Sequence, residues 1–246
     1  MDNRLPHDVQ LQYMRPQQLE DRGRSFPVVY LPFGLIEWHG RHLPLGTDAL
    51  KAHAVLVKTA ERFGGVVYPP FYLHDGFDNS VPLLTEVFHR IKQTGFRVML
   101  AVSGHNVEGM LEMINSAMAP AISDGTCTGA ALWEMSLSRG ADCDSDHAAK
   151  WETSDIQFFY PHLVDLAALG DGPISSATYS SKAGEPHSGI GGEDPRVHAS
   201  AQVGEKCMEL ASESLGCKAQ ELLDTLPPER RVFGLDGVSP ASWWYI

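Results

Sequence analysis

The sequence predicts an α/β protein built on a mainly parallel sheet. Three observations carry that reading. Short apolar runs of strand length recur along the chain, segments with a helical apolar period lie between them, and glycines or prolines close several of the units. Strands that alternate with helices of 10–15 residues form βαβ units, and the crossovers make the strands parallel.

Residues 28–34 (VVYLPFG) read as a buried strand. Residues 49–63 read as a helix closed by Gly64-Gly65, and 66–68 as a short strand before Pro69-Pro70. In 83–94, Leu83, Val87 and Ile91 fall at i, i+4 and i+8, which makes a helix with Gly95 as its C′ residue. Residues 97–103 (RVMLAVS) are the third strand. A helix over 107–122 lines Leu111, Ile114 and Met118 along one side. Residues 130–137 are the fourth strand, and 152–160 are a helix stopped by Pro161. The pattern then breaks. Residues 170–198 are rich in Gly, Ser and Pro and read as a long loop of the kind that carries function. Residues 199–224 form a last long helix. The end of the sequence carries Pro227-Pro228 and then Trp243-Trp244-Tyr245, expected to pack on its own domain or on a neighbouring subunit. No internal repeat interrupts the chain, and residues 1–246 are expected to form one domain.

A formal net charge of −12 and the lack of any basic run argue against nucleic acid or an anionic membrane as partner. No apolar stretch approaches the roughly 18 residues of a membrane-spanning helix, and the first 20 residues carry no signal-like segment. The cysteines Cys127, Cys143, Cys207 and Cys217 form no CxxC pair, which points to a reducing compartment. A cytoplasmic location is expected. There is no GxSxG elbow and no GxxxxGK[ST] loop, and Gly189-Ile190-Gly191 lacks the full dinucleotide fingerprint.

Ligands of open α/β sheets bind beyond the carboxyl ends of the strands. After the first strand come Glu37, His39 and Asp48; after the third, Ser103-Gly104-His105-Asn106; after the fourth, Asp144, Asp146, His147 and Glu152. Glu37 and His39 are two apart, so an extended backbone turns them the same way. Taken singly, Asp48 also reads as an N-cap, His105 as a hydrogen-bonded core histidine, Glu37 as half of an ion pair and Glu152 as a first-turn acid. Taken together, imidazoles and carboxylates on one rim suit Zn²⁺, Mn²⁺ or Fe²⁺, and two such ions can share a carboxylate. His187 and Glu185, in the long loop, read either as a gate to the pocket or as solvated loop residues.

The segment from Pro32 to Asp48 resembles the signature P-x-G-x-x-E-x-H-G-x-H-L-P-L-x-T-D of the creatininase (creatinine amidohydrolase) family. Ser103-Gly104-His105-Asn106 resembles that family's N-G-H segment, and His147-Ala148-Ala149-Lys150-Trp151-Glu152-Thr153-Ser154 its H-A-G-x-x-E-T-S segment. Residues 192–201 (GEDPRVHASA) are similar to the G-D-P stretch before the last helix. The resemblance implies a three-layer α/β/α subunit, often a homo-oligomeric hexamer. It also implies two divalent metal ions per subunit (Zn, Mn or Fe) and hydrolysis of a C–N amide bond in a small-molecule substrate through a metal-bridging hydroxide. By position, Glu37, His39, Asp48 and His105 are the expected metal ligands, with Asp48 bridging and Glu152 as the fifth. His147 is the expected proton-transfer residue, Asp144 a catalytic partner that orients it, and Asn106 and Asp146 the substrate-binding residues.

Several positions depart from the family pattern. Creatininases carry a glutamate where Val107 stands, and the next residue, Glu108, ranks below Glu152 as a ligand. Ser103 replaces the N-G-H asparagine, Ala149 the H-A-G glycine and Cys143 a substrate-contacting tryptophan. The family's longer pocket loop is reduced here to 72–82 (YLHDGFDNSVP). These departures motivate a second reading, in which the chain is a non-catalytic creatininase-like subunit or a small-molecule binding module.

Overall fold

Eight consecutive buried residues form β1 (Val28–Leu35), the pattern of a strand covered on both faces. The computed structural model describes residues 5–74, 76–137, 139–140, 143–174, 178–179, 185 and 187–234. β1 runs parallel to β4 (Val98–Ser103), with Val28 opposite Val98 and Phe33 opposite Ser103. β4 runs parallel to β5 (Thr128–Trp133), with Ser103 opposite Trp133. On the other side of β1, β2 (Val66–Val67) and β3 (Phe71–Leu73) pair in succession, both parallel. The order is β2–β1–β4–β5, with β3 also on β1. Pro69-Pro70 falls between β2 and β3, and proline has no N–H to give to a ladder.

Alternation along the strands builds the two cores. Val28, Tyr30, Val98, Leu100 and Val102 join residues of α2 (Thr47–Phe63), α5 (Lys150–Phe159) and α7 (Ala201–Thr225). Val29, Leu31, Phe33, Met99 and Ala101 join residues of α3 (Val81–Thr94) and α4 (Glu108–Ile122). Each large side chain so buried contributes about 1.5–3 kcal/mol of transfer free energy. The result is a three-layer α/β/α fold with a parallel sheet. No helix among the described residues is long and apolar enough to cross a membrane.

The structure corrects several boundaries. The fourth predicted strand, 130–137, is β5 and ends at Trp133, because Glu134 then turns inward and is 1% exposed. β3 and a 3-10 turn, Phe77–Ser80, occupy the stretch read as a loop. An unpredicted helix, α1 (Pro16–Ser25), is polar and buries only Leu19 and Gly23, so it lacks the apolar stripe that betrays a helix. The 170–198 stretch ends in a short helix, α6 (Pro195–His198), capped by the Asp194 side chain. The aromatic end at 243–245 lies outside the described residues.

Candidate functional site

The strands are parallel, so β1, β4 and β5 end on one edge. The chain leaving that edge supplies the residues picked out above. Two glycines make room for them. A Cβ on Gly34 would collide with the backbone of Asp48 and Ala49, and one on Gly104 with the backbone of Asp48. The first turn of α2 therefore fits between the ends of β1 and β4 only because both positions lack a side chain.

That wedge decides the role of Asp48. α2 begins at Thr47, and Asp48 caps nothing. Its Oδ2 accepts from Leu35 N (3.2 Å) and lies 3.3 Å from His105 Nδ1, while its Oδ1 lies 3.1 Å from His39 Nε2. Glu37 Oε1 is 3.0 Å from His105 Nδ1 and 3.8 Å from His39 Nε2. Glu152 Oε2 is 3.4 Å from His39 Nε2. Two overlapping trios result, Glu37–Asp48–His105 and His39–Asp48–Glu152, each with one donor atom per residue and all three atoms within 4.8 Å of one another. Asp48 belongs to both. A third trio, Glu37–His39–His147, overlaps them. His39 Nδ1–H donates to the Glu37 carbonyl (3.3 Å), which turns Nε2 toward the carboxylates.

The electrostatics follow from this crowding. Burial pushes the His39 imidazole down, but Glu152 and Asp48 outweigh it and hold the ring up at about 9. His105 is likewise pushed down by burial, then raised to about 9 by its hydrogen bonds to Asp48 and Glu37. Burial drives the Asp48 carboxyl up, yet hydrogen bonds from His105 and His39 hold it well below the usual carboxylate range. Protons thus sit on the imidazoles, where cations would replace them. The mixed oxygen and nitrogen donors fit Zn²⁺, Mn²⁺ or Fe²⁺.

Glu152 opens the first turn of α5 and is 3% exposed. Its Oε2 accepts from Ala148 N (2.7 Å), a backbone amide aimed by the left-handed Ala148 (φ 52°). Asp146 sits at the cleft, and its oxygens take Trp151 N (2.9 Å) and Glu152 N (3.2 Å). It therefore secures the helix end that carries Glu152. Burial, then the Glu152 charge, pushes its carboxyl up to about 7. His147 stacks on His39 (ring centroids 4.6 Å apart), donates from Nε2 to the Trp38 carbonyl (2.9 Å) and pairs through its backbone with Gly191. The other motif residues stitch the site together. His42 Nε2 meets Thr153 Oγ1 at 2.9 Å, and Ser154 Oγ accepts from Ser200 N.

The cleft has a volume of about 140 Å³, and Asn106, Val107 and Tyr179 complete its lining. Asn106 Oδ1 is buried without a hydrogen-bond partner among the described residues, an acceptor left over for a ligand. No lysine or arginine is among the described residues that line the cleft.

Some expected residues are not brought in. Asp144 is half exposed, 2.7 Å from Arg139 Nε, accepts from Ser145 N and does not line the cleft. Glu108 is exposed in the first turn of α4 and joins no donor trio. His187 is buried with Nε2 donating to the Asp171 carbonyl, and neither it nor Glu185 lines the cleft. The described residues of 72–82 do not line it either. Sequence reasoning missed Tyr179, Lys51 and Glu134. Lys51 Nζ, 1% exposed, lies 2.5 Å from Glu152 Oε1 and 2.8 Å from Glu134 Oε1. Burial pushes its ammonium down, but Glu134 and Glu152 raise it well above the usual lysine value. Its only signal in the sequence is a position three residues after Asp48, on the same face of α2.

Known proteins of one family resemble this chain. The sequence profile of the creatininase family, described as creatinine amidohydrolase, matches residues 12–217. The creatinine amidohydrolase of Pseudomonas putida is 25% identical over 180 residues, 59% of this chain and 69% of that protein. The mycofactocin precursor peptide peptidase of Mycolicibacterium smegmatis is 31% identical over 166 residues, 59% of this chain and 64% of that protein. A creatininase structure in a manganese form aligns with a TM-score of 0.71 at 21% identity, covering 89% of this chain and 99% of that one. At that identity the likeness shows the fold.

Proposed function

The chain belongs to the creatininase family, whose members are metal-dependent amidohydrolases, and from that premise we propose that it hydrolyses a C–N amide bond of a small polar molecule. The observation that carries the reading is the pair of donor trios joined at Asp48. Glu37, Asp48 and His105 would hold one divalent cation, and His39, Asp48 and Glu152 a second. Bound cations supply an activated water and a Lewis acid for the scissile carbonyl.

The chain's own residues do the rest. Glu152 takes the place left open by Val107, because Ala148 N–H and the end of α5 fix its carboxylate beside His39. Asn106 Oδ1 accepts an N–H of the substrate amide and orients it. The Trp38 carbonyl accepts a hydrogen bond from His147 Nε2–H, so Nδ1 is the nitrogen left to collect a proton from the attacking water and pass it to the departing amine. A cleft of about 140 Å³ suits a compact substrate. A homo-oligomer, hexameric by family resemblance, belongs to the same reading.

A panel holding a cyclic ureide, a formamide on an aminopyrimidine and a short peptide tests it, with metal-loaded protein, chelator-stripped protein and His147→Ala side by side. Turnover of one compound that is lost on stripping, and falls about 100-fold or more in the variant, supports the reading. Tight binding of a compound with no turnover under any metal would support a binding module instead.

A further inference from the structure

We infer that Lys51 is a positioning residue: it holds the Glu152 carboxylate so that a single oxygen faces the His39–Asp48 side of the site. The inference rests on the metal-hydrolase reading above. Lys51 lies in α2 one turn below Asp48 and is 1% exposed, so its ammonium is buried beneath the donor cluster rather than in the cleft. A buried ammonium needs carboxylates around it, and it finds Glu134 Oε1 at 2.8 Å and Glu152 Oε1 at 2.5 Å. The two oxygens of Glu152 are thereby given different tasks. Oε1 is taken by Lys51; Oε2 accepts from Ala148 N (2.7 Å) and lies 3.4 Å from His39 Nε2. The carboxylate cannot swing both oxygens toward a cation, nor turn away from it. Glu134, the residue after β5, is the second carboxylate beside Lys51.

Charge and positioning make opposite forecasts here. If Lys51 acted only as a positive charge near the site, its removal would strengthen cation binding, since like charges repel. If it acts by holding Glu152, its removal frees that carboxylate and weakens the His39–Asp48–Glu152 position, by about 10–100-fold as for other partners of metal ligands.

The test titrates Zn²⁺ alone into metal-free wild type, Lys51→Met and Glu134→Gln by calorimetry, with zinc content after desalting and a thermal melt of each. Positioning expects Lys51→Met to keep one tight zinc and weaken the other by 10-fold or more. Glu134→Gln, which leaves the Lys51–Glu152 contact in place, should bind within about three-fold of wild type, well under the loss an orienting partner causes. A folded Lys51→Met that binds both zincs as tightly as wild type, or more tightly, overturns the inference. Should Lys51→Met not fold, the Lys51→Met/Glu134→Leu pair also removes one of the two buried carboxylates that Lys51 leaves behind; it should retain one zinc, and two at wild-type affinity would overturn the inference. A wild type that takes up no zinc overturns the underlying metal-hydrolase reading as well, and so separates the two failures.

Discussion

Gly104→Ala probes the wedge that sets the site. The added Cβ would lie 2.7 Å from the carbonyl carbon and 2.9 Å from the Cα of Asp48, where ordinary contact begins at 3.4 Å. The Asp48 carbonyl oxygen is nearer still, and all three atoms are backbone rather than the end of a flexible chain, so the start of α2 must recede from β4 by roughly 1 Å. Functional constellations tolerate about 0.5 Å. Overpacking of this kind costs about 2 kcal/mol, or roughly 4–8 °C in Tm for a chain of this length. Because Asp48 belongs to both donor trios, zinc affinity should fall about 10-fold or more. Gly109→Ala is the control: the nearest atom to its added Cβ is Phe77 Cζ at 3.7 Å, and alanine favours α4 by about 0.5–1 kcal/mol. Thermal melts and zinc calorimetry read both quantities. A Gly104→Ala protein that melts and binds zinc like wild type would refute the wedge.

Three further outcomes are expected. Zinc titrated into metal-free protein at pH 7.5 should release about two protons, because His39 and His105 are held at about 9 and must deprotonate to bind; heats independent of the buffer's ionisation enthalpy would count against this. Burial holds His53 down at about 4, so its contribution to stability is complete above about pH 6.5 and declines as pH falls toward 4; urea melts of wild type and His53→Gln should show their gap shrinking by about 2 kcal/mol from pH 7 to pH 5, and a constant gap would contradict the assignment. Glu152→Gln should lose one equivalent of metal while Glu108→Gln loses none, and the reverse pattern would give the fifth-ligand role to Glu108 instead.

The parallel sheet was legible because its central strands are buried on both faces and read as unbroken apolar runs. The donor residues were legible for a related reason: parallel strands end on one edge, so residues far apart in sequence share a rim. Asp48 shows where spacing alone stops. Its place at a helix start fits a cap, and only the absence of side chains at Gly34 and Gly104 turns it into the residue shared by both trios. Asp144 shows the opposite. Its place beside the loop carrying His147 suggested chemistry, but its side chain lies half exposed beside Arg139 and outside the cleft. Lys51 and Glu134 were illegible because lysine and glutamate ordinarily sit at surfaces, and nothing local shows that β5 ends by turning Glu134 inward toward a lysine of α2. α1 escaped notice because most of its surface is solvated.

The central claim is that Asp48 joins two cation positions. Elemental mass spectrometry of protein purified without chelator, beside Asp48→Ala, tests it most directly. The account expects about two equivalents of divalent metal per subunit in the wild type and a loss from both positions in the variant. No metal in the wild type after incubation with Zn²⁺, Mn²⁺ and Fe²⁺, or full occupancy in Asp48→Ala, would contradict it.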